Sequence, residues 1–264
     1  MSRNTIINWS LFIVLSFIWG SSFILMKEGL KALTAYQVAA LRISSGGLVL
    51  LPVAYRRLKV IPSHKLGYIV LSGVLGSFIP AFLYCIAETK IDSSLAAFLN
   101  ALTPISTIII GVLFFKSKLA LQKVLGVLLG LSGMAILLAG NGSVNLGNLP
   151  FSSLVLAATV CYSLNANIVN RFLKDVDSSN IAAVSFGALI IPCAIILIST
   201  GFFRLSFSEI ATIRAVGAAT ILGVCGTAIA SIIFFELLKR AGIIFSSLVT
   251  YGIPFVALMW GIIA

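Results

Sequence analysis

Apolar residues do not alternate with polar ones along this chain. They run together in long blocks separated by short polar connectors. About 20 apolar residues in a helix cross the hydrocarbon core of a bilayer. Nine blocks approach or exceed that length: 9–27, 34–55, 67–87, 94–115, 120–140, 151–170, 181–202, 215–236 and 243–264. Inside a bilayer a helix satisfies its own backbone polar groups, so the pattern predicts an all-α integral membrane fold with nine transmembrane helices and no soluble domain. A cleaved signal peptide is a weaker reading of the first block, because that block is long and eight more follow.

The connectors set the orientation. The side that holds the N-terminus carries 12 basic residues: Arg3, Arg56, Arg57, Lys59, Lys65, Lys116, Lys118, Lys123, Arg171, Lys174, Lys239 and Arg240. The other side carries 5: Lys27, Lys31, Lys90, Arg204 and Arg214. Basic residues collect in cytoplasmic loops, so the expectation is a multi-pass protein of the bacterial inner membrane with its N-terminus in the cytoplasm.

Composition closes the other routes. Of 264 residues, 60% are hydrophobic and 9% charged, which leaves too little polar surface for a soluble globule or a disordered chain. The net charge of +11 would suggest nucleic acid in a soluble protein, but the loop bias already accounts for it. The expected partners are a small-molecule substrate and the lipid bilayer, with no nucleic acid and with a homodimer left open. Cys85, Cys161, Cys193 and Cys225 lie in apolar runs and are not spaced as a disulfide or metal framework. No Walker A pattern occurs, and neither a cofactor nor a metal is expected.

The chain also resembles itself. Shifted by 150 residues, Gly73 meets Gly223, Val74 meets Val224, Gly76 meets Gly226, Ile79 meets Ile229, Pro104 meets Pro254 and Gly111 meets Gly261. Lys90 falls on Arg240, so the connectors coincide. Trp19–Pro52 matches Tyr162–Pro192 more loosely, with a small gap. The unit is five spans, residues 1–140 and 151–264, and an odd number inverts the second copy. Secondary transporters frequently use that plan, with substrate near the midplane between copies. Span five, with its small-residue face Gly126, Gly130 and Gly133, has no partner in the second copy. The expectation is a second repeat truncated after its fourth helix, from a ten-span protein.

Several stretches carry a family resemblance. Trp19-Gly20-Ser21-Ser22-Phe23 is similar to the first-helix signature of EamA-type transporters of the drug/metabolite transporter superfamily. Ala40-Leu41-Arg42 with the run to Pro52 resembles that family's second helix. Ala101-Leu102-Thr103-Pro104 with Phe114-Phe115-Lys116 resembles its fourth, and Tyr251-Gly252-Ile253-Pro254 its ninth. The resemblance implies ten helices in two inverted five-helix repeats, and export or exchange of small metabolites such as amino acids by alternating access. The chain departs from the pattern at Lys116-Ser117-Lys118, at Ser185-Phe186 and in the missing tenth helix.

Polar and aromatic groups inside spans are the substrate-path candidates. Arg42 is the one basic residue well inside a span. A central Arg is unfavourable by roughly 2.5–3.5 kcal/mol on insertion scales, so it either snorkels or binds helix carbonyls, or it serves substrate. Tyr162 and Asn165 share a face of span six, and Asn167 follows. They either hydrogen-bond neighbouring helices or hold a zwitterion. Trp19 and Ser22 occupy the matching place in span one, where plain packing is the alternative. Tyr84, Asn100, Thr227, Ser231 and Tyr251 complete the cavity set. Pro104 and Pro254 free the carbonyls of Asn100 and Thr250, which builds either a simple kink or a gate. No carboxylate or His lies at mid-span, which favours facilitated or exchange transport. Glu88 and Glu236, near span ends, keep proton coupling open. A non-transporting scaffold or receptor is the runner-up. An integral-membrane enzyme ranks below it, because one His and dispersed acids form no catalytic cluster.

Overall fold

The computed structural model of the chain describes residues 3–117, 121–140 and 148–263, and of residues 134, 137–140 and 261–263 only the backbone. Lys118 of the charge map and the terminal Ala264 lie outside the described residues. Among the described residues, nine long helical runs follow one another: α1 (Arg3–Leu30), α2 (Ala35–Arg57), α3 (Ser63–Ala87), α4 (Ser93–Phe115), α5 (Leu121–Gly140), α6 (Leu149–Phe172), α7 (Ser178–Ser199), α8 (Ile210–Ala241) and α9 (243–263). No strand occurs among the described residues. Eight runs are long and apolar enough to cross a membrane, and α5 contributes a shorter apolar stretch, Leu121–Gly133.

α1, α6 and α8 overrun their apolar blocks at both ends, whereas α2 begins and α7 ends inside theirs, and polar residues set where some of the helices start. Thr34 and Gln37 form a capping box at α2: the Gln37 amide N–H donates to Thr34 Oγ1 at 3.3 Å and the Thr34 N–H to Gln37 Oε1 at 2.9 Å. Asp177 caps α7 by accepting from the Ser179 and Asn180 amides.

Four interruptions break the regular helices. α3 contains a π segment at Val74–Phe78 and α8 one at Leu222–Ile229. α4 divides into α4a (Ser93–Asn100) and α4b (Thr103–Phe115), and α9 into α9a (Ile243–Ser247) and α9b (Val249–Ile263). The two π segments correspond under the 150-residue shift, whereas the break in α9, at Leu248, comes three residues before the place that matches the break in α4.

The first four helices pack chiefly on the last four. α2 makes its most extensive contact with α7, α1 lies along α9b and α8, and α3 and α4 close on α6. Paired glycines allow the crossings. A Cβ on Gly223 would overlap the Arg42 carbonyl and Ser45 Oγ, and one on Gly73 would sit 3.0 Å from Ser185 Cβ. A Cβ on Gly226 would meet Ser22 Oγ at 2.6 Å, and one on Gly76 would meet Asn165 Cγ at 2.7 Å. Residues related by 150 thus do the same job in opposite halves of the bundle.

At the N-terminal face, Lys65 pairs with Asp175 and Lys239 donates to the Val176 carbonyl. The Lys65 hydrogen bond holds the exposed Asp175 carboxyl below its ordinary range, so the pair persists at neutral pH and is lost as pH falls through that lowered value.

Candidate functional site

A cavity opens where the two sets of helices meet, with about 1030 Å³ of empty space counting its open mouth. α1 contributes Trp19, Ser22, Phe23 and Met26, α2 contributes Arg42, and α3 contributes Gly76, Ser77 and Tyr84. Asn100, Thr103 and Thr107 come from α4, Tyr162 and Asn165 from α6, and Thr227, Ser231, Phe234 and Phe235 from α8. Ser246, Ser247 and Thr250 of α9 complete the wall.

The Arg42 guanidinium is held by a side chain of α8. Its Nε and Nη2 both donate to Thr227 Oγ1, each at 3.1 Å, and Thr227 Oγ1 donates in turn to the Leu222 carbonyl at 3.2 Å. The single hydroxyl has therefore used its proton and both lone pairs. The Leu222 carbonyl belongs to the π segment, where the ordinary helical ladder is disturbed. Among the described residues, no carboxylate lies within ion-pair distance of Arg42. A lined cavity thus holds a guanidinium whose hydroxyl partner is neutral.

Around this cation the walls are aromatic. Tyr84 lies 6.2 Å from Phe23 and 6.1 Å from Tyr162 between ring centroids. Trp19 lies 5.4 Å from Phe234, and its Nε1 donates to the Gly226 carbonyl at 3.1 Å. Both readings of Trp19 meet here, since it packs on α8 and lines the cavity. Ser22 returns its hydroxyl to the Ile18 carbonyl at 2.8 Å. Asn165 Oδ1 accepts from Ser72 Oγ at 2.6 Å, and the amide presses on Gly76.

Nine of the ten cavity candidates read from the sequence line this one space; Tyr251 does not. Its ring covers Gly130 and its hydroxyl donates to the Val127 carbonyl at 2.7 Å, which pins α9b to α5. A Cβ added to Gly126 or Gly133 of the small-residue face would meet nothing within 4 Å among the described residues. The break in α4 precedes Pro104, which sits in the first turn of α4b where its missing N–H is harmless. Thr103 Oγ1 donates to the freed Asn100 carbonyl at 2.7 Å. Pro254 is interior to α9b, and the break there comes earlier, at Leu248.

The sequence reading passed over Ser77 and did not class Thr250 with the cavity. The 150-residue shift held the signal, because it carries Thr227 onto Ser77 and Asn100 onto Thr250. Asn167 points elsewhere: its Nδ2 donates to the Thr107 carbonyl at 3.2 Å and the Ser163 carbonyl at 2.9 Å. Ser163 and Thr107 hydroxyls join at 3.1 Å in the same seam between α4b and α6. Asn167→Ala is expected to lower the thermal midpoint in detergent by an amount equivalent to about 1 kcal/mol, with substrate KM unchanged. A changed KM at unchanged midpoint would place Asn167 on the substrate path instead.

The EamA-like transporter family model matches residues 7–139. Over 255 residues the chain is 24% identical to Protein PagO of Salmonella typhimurium, covering 94% of this chain and 81% of that one. It is 26% identical over 191 residues to the S-adenosylmethionine/S-adenosylhomocysteine transporter of Chlamydia trachomatis, covering 69% of this chain and 58% of that protein. A solved crystal structure superposes with a TM-score of 0.69 over 100% of this chain and 88% of the other, at 20% identity, and shares the fold.

Proposed function

The chain belongs to the EamA-like transporter family and is a multi-pass membrane transporter, and we propose that it exports or exchanges small carboxylate-bearing metabolites such as amino acids. Alternating access operates through the cavity between two inverted repeats, with the N-terminus in the cytoplasm. One observation carries the substrate class: the Arg42 guanidinium stands in the cavity wall with a neutral hydroxyl as its partner. A carboxylate is the group that matches such a fork. Amide and hydroxyl acceptors at Asn100, Ser231 and Thr250 suit an ammonium, while Trp19, Tyr84 and Tyr162 offer faces to an apolar or planar side chain. A relative named as a transporter of S-adenosylmethionine, an amino acid bearing a large planar base, supports both features.

Counterflow in proteoliposomes tests this. The probes are a mixed radiolabelled amino-acid pool and, separately, labelled S-adenosylmethionine. Saturable exchange of either supports the reading. Failure of both with monodisperse, correctly inserted protein overturns the substrate class.

A further inference from the structure

Glu88 follows directly on α3, at the face opposite the N-terminus and one residue beyond the third span, yet it is only 2% exposed. Its backbone carbonyl, free at a helix end, accepts from Lys27 Nζ of α1 at 2.9 Å, and the same ammonium reaches the Ile91 carbonyl at 3.0 Å. The carboxyl group receives one long bond, from Ser93 Oγ to Oε2 at 3.4 Å, and Oε1 has no hydrogen-bond partner among the described residues. One turn earlier on the same helix face, Tyr84 lines the cavity, and its buried hydroxyl is likewise unpartnered among the described residues.

The groups that act on Glu88 come from every side. Lys27 acts from α1, Arg42 from α2, and Asp92 and Ser93 from the start of α4, while Glu88 in turn acts on Tyr84 and Cys85 of its own helix. Glu28 and Lys31 pair with each other at the end of α1. Burial opposes the charged carboxylate most strongly, Lys27, Ser93 and Arg42 favour it in that order, and Asp92 opposes it. The carboxyl is left titrating at about 8. It is therefore mostly protonated at neutral pH, and loses its proton as pH rises through about 8.

We propose that Glu88 is a proton-binding site electrically linked to Arg42, and that its occupancy controls binding of a carboxylate-bearing substrate in the adjoining cavity. The substrate half of this statement rests on the function proposed above. The step is one proton added to one carboxylate oxygen, which raises the local charge by one. A neutral Glu88 leaves Arg42 free to attract the substrate carboxylate, whereas an ionised Glu88 repels that carboxylate and competes for the same cation. Linkage is reciprocal, so a bound carboxylate raises the proton affinity of Glu88 in return.

Infrared difference spectroscopy of the reconstituted full chain tests the site without any substrate. The protonated-carboxyl C=O band is expected at about pH 6 and lost with a midpoint near 8. Glu88→Gln should abolish that transition, and Arg42→Gln should move its midpoint up by about half a pH unit or more. No carboxyl transition above pH 6, its survival in Glu88→Gln, or an unmoved midpoint in Arg42→Gln would each overturn the proposal. Counterflow of the amino-acid pool at matched pH on both sides then tests the consequence. The wild type should slow several-fold as pH rises through about 8, while Glu88→Gln gives a flat profile. A flat wild-type profile defeats the link to transport. No wild-type counterflow at all defeats the amino-acid reading and the substrate half with it, while the carboxyl titration still decides the proton site.

Discussion

Arg42→Gln is expected to lower amino-acid counterflow by at least about thirtyfold while the protein reaches the membrane at normal abundance. Both halves follow from the geometry. Removing a guanidinium from mid-bundle relieves an insertion penalty of roughly 2.5–3.5 kcal/mol, so misassembly is not the expected result. What is lost is the cation, and truncating one partner of a desolvated charge pair commonly costs at least about 2 kcal/mol. Arg42→Lys keeps the charge but not the two-pronged fork on Thr227, and should fall between the two. Thr227→Val separates substrate binding from bracing. It removes the neutral partner and keeps the cation, so counterflow should stay within about tenfold of wild type. If Thr227→Val is as damaging as Arg42→Gln, Arg42 serves chiefly to tie α2 to α8. Counterflow within about threefold of wild type in Arg42→Gln would remove Arg42 from the substrate path.

That Arg42 could be singled out beforehand has a simple cause. In a block of apolar residues a guanidinium stands out, and so do Asn165, Tyr162 and Trp19. Hydroxyl residues do not stand out. Ser246, Ser247 and Thr250 return their hydroxyls to carbonyls three residues back, at 2.8–3.0 Å, so they are at home in any membrane helix. Only their placement around the cavity gives them a role. The blocks of apolar residues predict where chains cross, but they are silent on helix rotation. Tyr251 lies against Gly130 of α5 and outside the cavity, and no local pattern announces it. The π segments are equally hidden, since Val74–Phe78 and Leu222–Ile229 read as ordinary apolar helix. Glu88 is hidden for a different reason. Its position past a span suggests solvent, whereas Lys27 from α1 and the start of α4 fold over it and leave it 2% exposed.

Gly223→Ala is expected to be the most disruptive glycine-to-alanine change among the described residues. The new Cβ would lie 2.9 Å from the carbonyl carbon of Arg42 and overlap the Arg42 oxygen and Ser45 Oγ. A side chain could swing aside, but these are chiefly backbone atoms in the interior of α2, so α2 and α8 must separate along their length. Overpacking of this kind typically destabilises by about 1–3 kcal/mol, and a backbone clash belongs at the upper end. Two other glycines grade the effect. Gly73→Ala meets Ser185 at 3.0 Å and should be milder. Gly217→Ala, in the same helix as Gly223 but with nothing within 4 Å, should be neutral or stabilising by up to about 1 kcal/mol through helix propensity. Thermal unfolding in detergent should therefore rank Gly217→Ala above wild type, then Gly73→Ala, with Gly223→Ala lowest. A Gly223→Ala midpoint within about one degree of wild type would mean that α2 and α8 do not approach this closely. The consequence reaches beyond stability. The same crossing sets the Arg42 guanidinium against Thr227, so a separation that spares the fold still opens the 3.1 Å contacts. Gly223→Ala protein that survives purification should therefore show weakened counterflow, although the substituted residue itself is not part of the cavity wall.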